Sequence, residues 1–388
     1  MPIINSIAGM KEEITAWRRD LHRHPELMYD VHRTAGVAAD KLRAFGCDEV
    51  VEGIGRTGVV AVIRGKAPGR AIGMRADMDA LPIEEISGAP HASATPGVMH
   101  ACGHDGHTAM LLGAAKHLAE TRNFAGSVVV IFQPAEEGGA GGKAMVDDGM
   151  MDRFGIEEVY GMHNMPGVPV GEFAIRPGPL LASADEFTIR IVGKGGHAAM
   201  PHTTIDPGLA AAQVVIALQA VTSRAIDPVN SVVLTVTSFT TDSTAGNVIG
   251  DAAELRGTVR CHTHEDRALA KARLFALVGG AAAAHGARAE IDWDDGYPPT
   301  INDPDKAMIA ADAAEDVAGA CVRDAPPMMP AEDFSYMLEA RPGAMIFVGN
   351  GDSAMCHHPA YDFDDDAIPA GASFWARLAE RVLPLTPA

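Results

Sequence analysis

Between residues 186 and 293 the side-chain pattern runs strand (186–192), helix (209–223), strand (232–239), strand (253–260), helix (267–284), strand (289–293). A β-α-β-β-α-β order leaves few topologies open and matches the ferredoxin-like unit. Pro177-Gly178-Pro179 precedes the segment and Tyr297-Pro298-Pro299 follows it, both compositions suited to a hinge. The segment 182–294 therefore reads as a domain inserted into another, formed by 1–181 and 295–388. At 388 residues the chain also exceeds what one hydrophobic core comfortably serves.

The flanking segments have a different rhythm. Ile7, Ile14, Trp17 and Leu21 recur at helical spacing up to Pro25, and Val37, Ala38, Leu42 and Phe45 repeat the pattern up to Gly46. Strand-like runs follow at 59–63, 71–74, 128–132 and 159–162, with an Ala/Leu-rich helix over 108–120 between the second and third. Helices over 307–317, 334–339 and 370–382 and a buried strand at 344–348 complete this part. Such alternation predicts an α/β layer structure.

Composition narrows the function. Lys and Arg number 31 against 51 Asp and Glu, and the net charge of −20 opposes binding to phosphate backbones or anionic lipid. Nucleic acid is not an expected partner. Cys47, Cys102, Cys261, Cys321 and Cys356 are odd in number and scattered without a CxxC pair, which suits a reducing compartment, the cytoplasm. The first 26 residues are charged and lack the apolar core of a secretory signal. No run of about 18 uncharged apolar residues suggests a membrane span.

Four clusters carry chemistry. His100-Ala101-Cys102-Gly103-His104-Asp105-Gly106-His107 opens the Ala/Leu-rich helix, and its thiolate and imidazoles suit zinc and neighbouring transition metals. The bland alternative is a polar loop with Asp105 capping the helix. Glu136 and Glu137, between Gln133 and Gly139, follow the strand at 128–132, where ligands of open sheets gather. One carboxylate would bind metal while the other moves protons, unless this is a solvated acidic turn. His163 follows the strand at 159–162 and His357 lies beyond the strand at 344–348. Each alone would be an ordinary loop histidine. Together, Cys102, His104, Glu137, His163 and His357 suffice for two metals about 3.5–4 Å apart if one ligand bridges them.

In the inserted segment, Gly193-Lys194-Gly195-Gly196-His197 ends a strand with glycines that permit close approach to a ligand, or else forms a simple turn. Arg260 suits a two-pronged grip on a carboxylate or a surface salt bridge. His22 and His24 read as packing or helix-end residues, Cys261, His262 and His264 as distant from the other clusters, and Met328-Met329 as core filling.

The ordered series of motifs is specific: His22 to Leu27, Arg75-Ala76-Asp77-Met78-Asp79-Ala80-Leu81-Pro82, Cys102 to His107, Gln133 to Gly139 and His163-Asn164. Gly193 to His202, Asn247-Val248-Ile249, Glu332-Asp333-Phe334-Ser335 and His357 to Phe363 continue it. Over essentially the whole chain it resembles the metal-dependent amidohydrolase branch of the aminoacylase and carboxypeptidase superfamily, which includes hippurate hydrolase and the auxin-conjugate amidohydrolases. The resemblance implies a catalytic α/β/α domain with a mixed central sheet and an inserted ferredoxin-like lid and dimerisation domain. It further implies two divalent ions (Zn, Mn, Co or Ni) on Cys102, His104, Glu137, His163 and His357, with Cys102 where many relatives place a bridging aspartate.

By the same correspondence Glu136 would be the general base and Asp77 would orient a base or ligand. The histidine usual two residues before that aspartate is Arg75 here, its place as ligand passing to His104. His197 would polarise the scissile carbonyl in a partner subunit's site, while Asn247 and Arg260 would hold the substrate. His357 rather than His358 matches because the family's ligand lies two residues before the proline, here Pro359. Gly250 after Asn247-Val248-Ile249 and Ala331 before Glu332-Asp333 depart from the pattern, where proline and serine are usual. The expected reaction is hydrolysis of N-acyl amino acids by a homodimer or higher homo-oligomer. A dipeptidase or aminopeptidase, a hydrolase with Cys102 as nucleophile, and a non-catalytic zinc-binding protein are the other readings.

Overall fold

Val128, Val129, Val130, Ile131 and Phe132 are consecutive and all fully buried, as befits a strand covered on both faces. In the computed structural model, which describes residues 3–385, they belong to Ala125–Gln133 near the middle of an eight-stranded mixed sheet. Its order is Glu49–Ile54, Gly58–Arg64, Ala125–Gln133, Ala67–Asp77, Ile156–Met165, Gly343–Gly349, Phe173–Ala174, Cys321–Val322. Ala125–Gln133, Ala67–Asp77, Ile156–Met165 and Gly343–Gly349 run parallel, so their carboxyl ends meet at one edge. There Asp77 lies opposite Gln133 and His163 opposite Phe347.

The helix His104–Thr121 starts at that edge, and from His104 to Ala119 only Lys116 escapes burial. It packs on Lys11–Arg23 and Ile368–Val382. The opening helical pattern is interrupted: Met10 donates its N–H to Ile7 three residues back, splitting the helix into Asn5–Gly9 and Lys11–Arg23. The edge strand Glu49–Ile54 escapes the sequence pattern because Glu49, Glu52 and Gly53 are exposed and break any alternation.

Leu181–Thr300 with Pro327–Glu332 form one compact unit and the remaining described chain the other. The smaller unit carries an antiparallel sheet in the order Val232–Thr241, Ala252–Cys261, Asp185–Val192, Arg288–Asp294. Its alternation is one-sided. Phe187, Ile189 and Ile191 are buried in a cluster with Ala210, Val214, Leu218, Leu274 and Val278 of two helices, while Glu186 and Arg190 are exposed. Those helices, Pro207–Ala220 and His264–Ala284, are opened by side-chain caps from Asp206 and Thr263.

Two expectations change here. By length and composition Pro207–Ala225, mean hydropathy 1.2, would reach across a membrane, against the expectation of no such run. Its Ala210, Ala211, Val214 and Leu218 nevertheless face the unit's core, while the other side exposes Gln213, Gln219 and Arg224 together with the apolar Leu209 and Ile216. Met328 and Met329 are half-exposed rather than core filling. Met328 serves through its backbone, its carbonyl accepting from Ala182 N–H at 3.1 Å and His262 Nε2 at 2.9 Å.

Candidate metal centre

The loop into His104–Thr121 turns at Gly103, whose φ of +86° few other residues adopt. A Cβ there would lie 2.3 Å from Asn164 Nδ2 and 2.5 Å from the Tyr361 hydroxyl, so only glycine fits. Asn164 Nδ2 donates to the Cys102 carbonyl at 2.5 Å, and Tyr361 donates to Asn164 Oδ1 at 2.7 Å. The position of Cys102 is thus set from the strand Ile156–Met165 and from the far end of the chain.

Two histidines are turned the same way by backbone carbonyls. His104 Nδ1 donates to Asp79 O at 2.8 Å and His163 Nδ1 to Asn164 O at 2.6 Å, which fixes the proton on Nδ1 and leaves Nε2 as a lone-pair donor. His163 Nε2 lies 3.4 Å from Cys102 Sγ. Glu137 Oε1 lies 3.3 Å from His357 Nε2 and 3.9 Å from His104 Nε2. Glu137 Oε1 and His104 Nε2 are both buried without a hydrogen bond.

The donor atoms of Cys102, His104 and His163 all lie within 4.8 Å of one another, as do those of Cys102, Glu137 and His357. The two triads share Cys102, and Glu136 joins His104 and Glu137 within the same 4.8 Å. Soft and borderline donors, preset lone pairs and two buried atoms without a hydrogen bond form a donor set that divalent metal ions would fit.

Electrostatics point the same way. Burial opposes a proton on His104, but Asp77, Asp79 and Glu137 outweigh it and raise the ring to about 10. Burial disfavours the Glu137 carboxylate, yet His357 and His104 hold it below its ordinary range. Contact with the Cys356 thiol, then burial and Glu137, push the Cys102 thiol well up. Carboxylates concentrated around neutral donors call for a cation, either a proton or a metal.

Asp77 sits behind this cluster, its Oδ1 2.7 Å from His107 Nδ1 and its Oδ2 2.8 Å from Arg75 Nη1. Burial disfavours its charge, but Arg75, His104 and His107 hold it well below the carboxylate range. Arg75 is fully buried and also grips Asp333 Oδ1 at 3.0 Å and Gln133 Oε1 at 2.8 Å. His107 lies close to Asp77 and His104, but its Nε2 accepts the Asn164 backbone N–H at 2.9 Å, so neither nitrogen is left for a metal. These supporting roles of Arg75, His107, Asn164 and Tyr361 have no signature in local sequence. A buried partner is what distinguishes them.

Asp105 does not cap the helix through its side chain. It accepts from His22 Nδ1 at 2.8 Å and pairs with Arg18, so His22 is part of a buried charge network rather than a helix-end residue. His24 does serve the helix end, donating to Asp20 O at 2.9 Å. His358 belongs to neither triad among the described residues; its Nδ1 accepts the Ala360 N–H at 3.1 Å.

His197, Asn247 and Arg260 belong to the smaller unit. His197 is exposed on Gly196–His197, paired with Val248–Ile249, and Ala198 donates its N–H to Asn247 O at 3.0 Å. His197 Nδ1 accepts from Ala199 N at 3.0 Å, which leaves the neutral ring's proton on Nε2. Arg260 lies on the four-stranded sheet instead, lining a cavity of about 480 Å³ with Glu186, Thr188, Thr237 and Asp294.

The sequence model of Peptidase family M20/M25/M40 matches residues 73–381. N-acetyl-L-cysteine deacetylase of Bacillus subtilis is 41% identical over 379 residues, covering 97% of this chain and 90% of the relative. Hippurate hydrolase of Campylobacter jejuni is 38% identical over 385 residues, 99% and 100% of the two chains. A solved Bacillus subtilis structure, described as a dinuclear metal binding peptidase from the M20 family, has a TM-score of 0.87 at 36% identity, covering 98% of this chain and 100% of that one.

Proposed function

The chain belongs to Peptidase family M20/M25/M40, and from that membership we propose that it hydrolyses the amide bond of N-acyl amino acids to a carboxylic acid and a free amino acid. The observation that carries this reading is the pair of donor triads joined at Cys102, with Glu136 beside them. Similarity to a deacetylase and a hippurate hydrolase over nearly the whole chain supports the substrate class.

Two divalent ions (Zn, Mn, Co or Ni) on Cys102, His104, Glu137, His163 and His357 would supply Lewis acidity, lowering the pKa of a water from about 15.7 towards about 7. Glu136 takes the water's proton during attack on the amide carbonyl and returns it to the leaving amine. Asp77, held by Arg75 and His107, keeps the surroundings of His104 rigid and negative. His197 of a partner subunit donates Nε2–H to the developing oxyanion, and Asn247 and Arg260 hold the substrate. The smaller unit acts as lid and dimerisation domain, excluding water on closure. Five free cysteines suit residence in a reducing compartment such as the cytoplasm.

A screen of N-acetyl, N-benzoyl and indole-acetyl amino acids against dipeptides with a free amine, with Zn, Mn, Co and Ni each supplied, tests the reading. Cleavage of the acylated set, abolished by chelator, is expected. Cleavage confined to free-amine dipeptides would make the protein a peptidase instead. Activity that survives chelation and is lost to iodoacetamide would shift the chemistry to Cys102 as nucleophile.

A further inference from the structure

We propose that Asp79 is a positioning residue of the metal centre: its buried carboxylate holds the turn that brings Glu136 and Glu137 to one point with His104. The proposal rests on the reading of Glu137 and His104 as metal ligands and of Glu136 as the base. Asp79 is 1% exposed and supplies no atom to either triad that shares Cys102.

Successive side chains of an extended chain point to opposite sides, so adjacent glutamates leaving a strand do not ordinarily converge. Here the chain turns sharply, with Ala135 at φ +53° and Gly138 at φ +94°. Consecutive backbone N–H groups of such a turn form a concavity for an anion. Asp79 fills it: Oδ1 accepts the N–H of Glu136 at 3.0 Å and Oδ2 that of Glu137 at 3.1 Å. The same residue's carbonyl takes the Nδ1 proton of His104 at 2.8 Å. One residue thereby fixes the orientation of a proposed ligand from the helix start and of both carboxylates from the strand end. Ala135 sits in the left-handed region, which a residue with a Cβ leaves unless its neighbours hold it there.

Asp79→Asn keeps the volume but replaces one acceptor oxygen with a donor, so one of the two N–H groups faces an amide NH₂. The variant should still unfold in one cooperative thermal transition. Its affinity for the second equivalent of Co(II), measured by competition with a chelator, should fall roughly 10- to 100-fold. The visible spectrum of the Co(II)-loaded protein should shift, which general destabilisation does not produce. Wild-type affinity with an unchanged spectrum would overturn the proposal. Should the variant fail to fold, amide hydrogen exchange on the metal-loaded wild type decides. Slow exchange at both Glu136 and Glu137 supports the clasp, and exchange as fast as an open turn overturns it. None of these readouts needs substrate, so a wild type that cleaves no N-acyl amino acid, paired with an Asp79→Asn that loosens cobalt, would sink the substrate assignment and leave this one standing.

Discussion

Arg18 and Asp105 form an ion pair with neither side chain exposed, Nε lying 2.7 Å from Oδ2. Asp105 follows His104 directly, so this pair anchors the first turn of the helix from behind while His104 faces the donor atoms of Cys102, His163 and Glu137. His22 Nδ1 adds a contact to the same carboxylate at 2.8 Å.

Removing that carboxylate takes away the one fully buried anion that Arg18 and His22 share, leaving Arg18 with Asp362 and His22 with Glu85. Asp105→Ala should destabilise the protein by about 3–5 kcal/mol, the usual effect of breaking a buried pair from one side. Urea denaturation reads it. A change under about 1 kcal/mol would mean that Asp362, whose Oδ1 is 2.6 Å from Arg18 Nη2, takes over the charge.

The same network makes stability pH-dependent. Burial disfavours a proton on His22, but Asp105 and Glu85 outweigh it and raise the ring from 6.5 to about 9. A pKa higher in the folded state contributes stability fully below about 6.5 and loses it as pH climbs through about 9. Glu85 runs the other way: burial opposes its charge, but His22 and Ser87 lower it from 4.5 to about 2, so its contribution fades as pH falls through about 2. Denaturation midpoints should decline between about pH 6.5 and 9, and His22→Gln should flatten that decline. An unaltered slope in His22→Gln would trace the alkaline loss to another group.

Glu136→Gln should abolish turnover while metal content stays near two per chain, since only the proton carrier is lost. Glu137→Gln should deplete metal, because an amide is the weaker ligand. Elemental analysis of both variants separates the roles. Identical metal content in the two would refute the division of labour between these neighbours.

Cys102→Ala should lower metal occupancy and activity together, since both triads use this thiolate. Cys102→Asp restores an anion and should recover part of both, with preference moving towards harder cations such as Mn. Full occupancy in Cys102→Ala would remove the cysteine from the coordination sphere.

His197→Ala should leave metal content and stability unchanged and lower kcat by roughly 10²–10³, the effect of losing one oxyanion donor. Mixing it with Glu136→Gln should restore part of the activity if the histidine acts across a subunit boundary. Absence of complementation after demonstrated subunit exchange would rule out the shared site.

The sequence by itself determined the elements whose signals act over a few residues. The buried run at 128–132 and the strand over 186–192 that carries Phe187, Ile189 and Ile191 are readable locally, because strand period acts over a few residues. The helices expected over 209–223 and 267–284, by contrast, open earlier, at Pro207 and His264, behind the Asp206 and Thr263 caps. The donor residues were legible for a related reason: their types are rare in combination and each follows a recognisable strand or opens a helix. Tertiary structure decided the rest. Which nitrogen of His104 faces inward depends on a carbonyl 25 residues away, the Glu136 turn on a carboxylate 57 residues away, and the burial of Arg75 on an aspartate 258 residues away. Asp77, Asp79 and Asp105 are equivalent as letters and differ only in what surrounds them. A carboxylate's partner, and hence its charge and task, is set by the atoms that exclude water from it, and those arrive only when distant segments pack together.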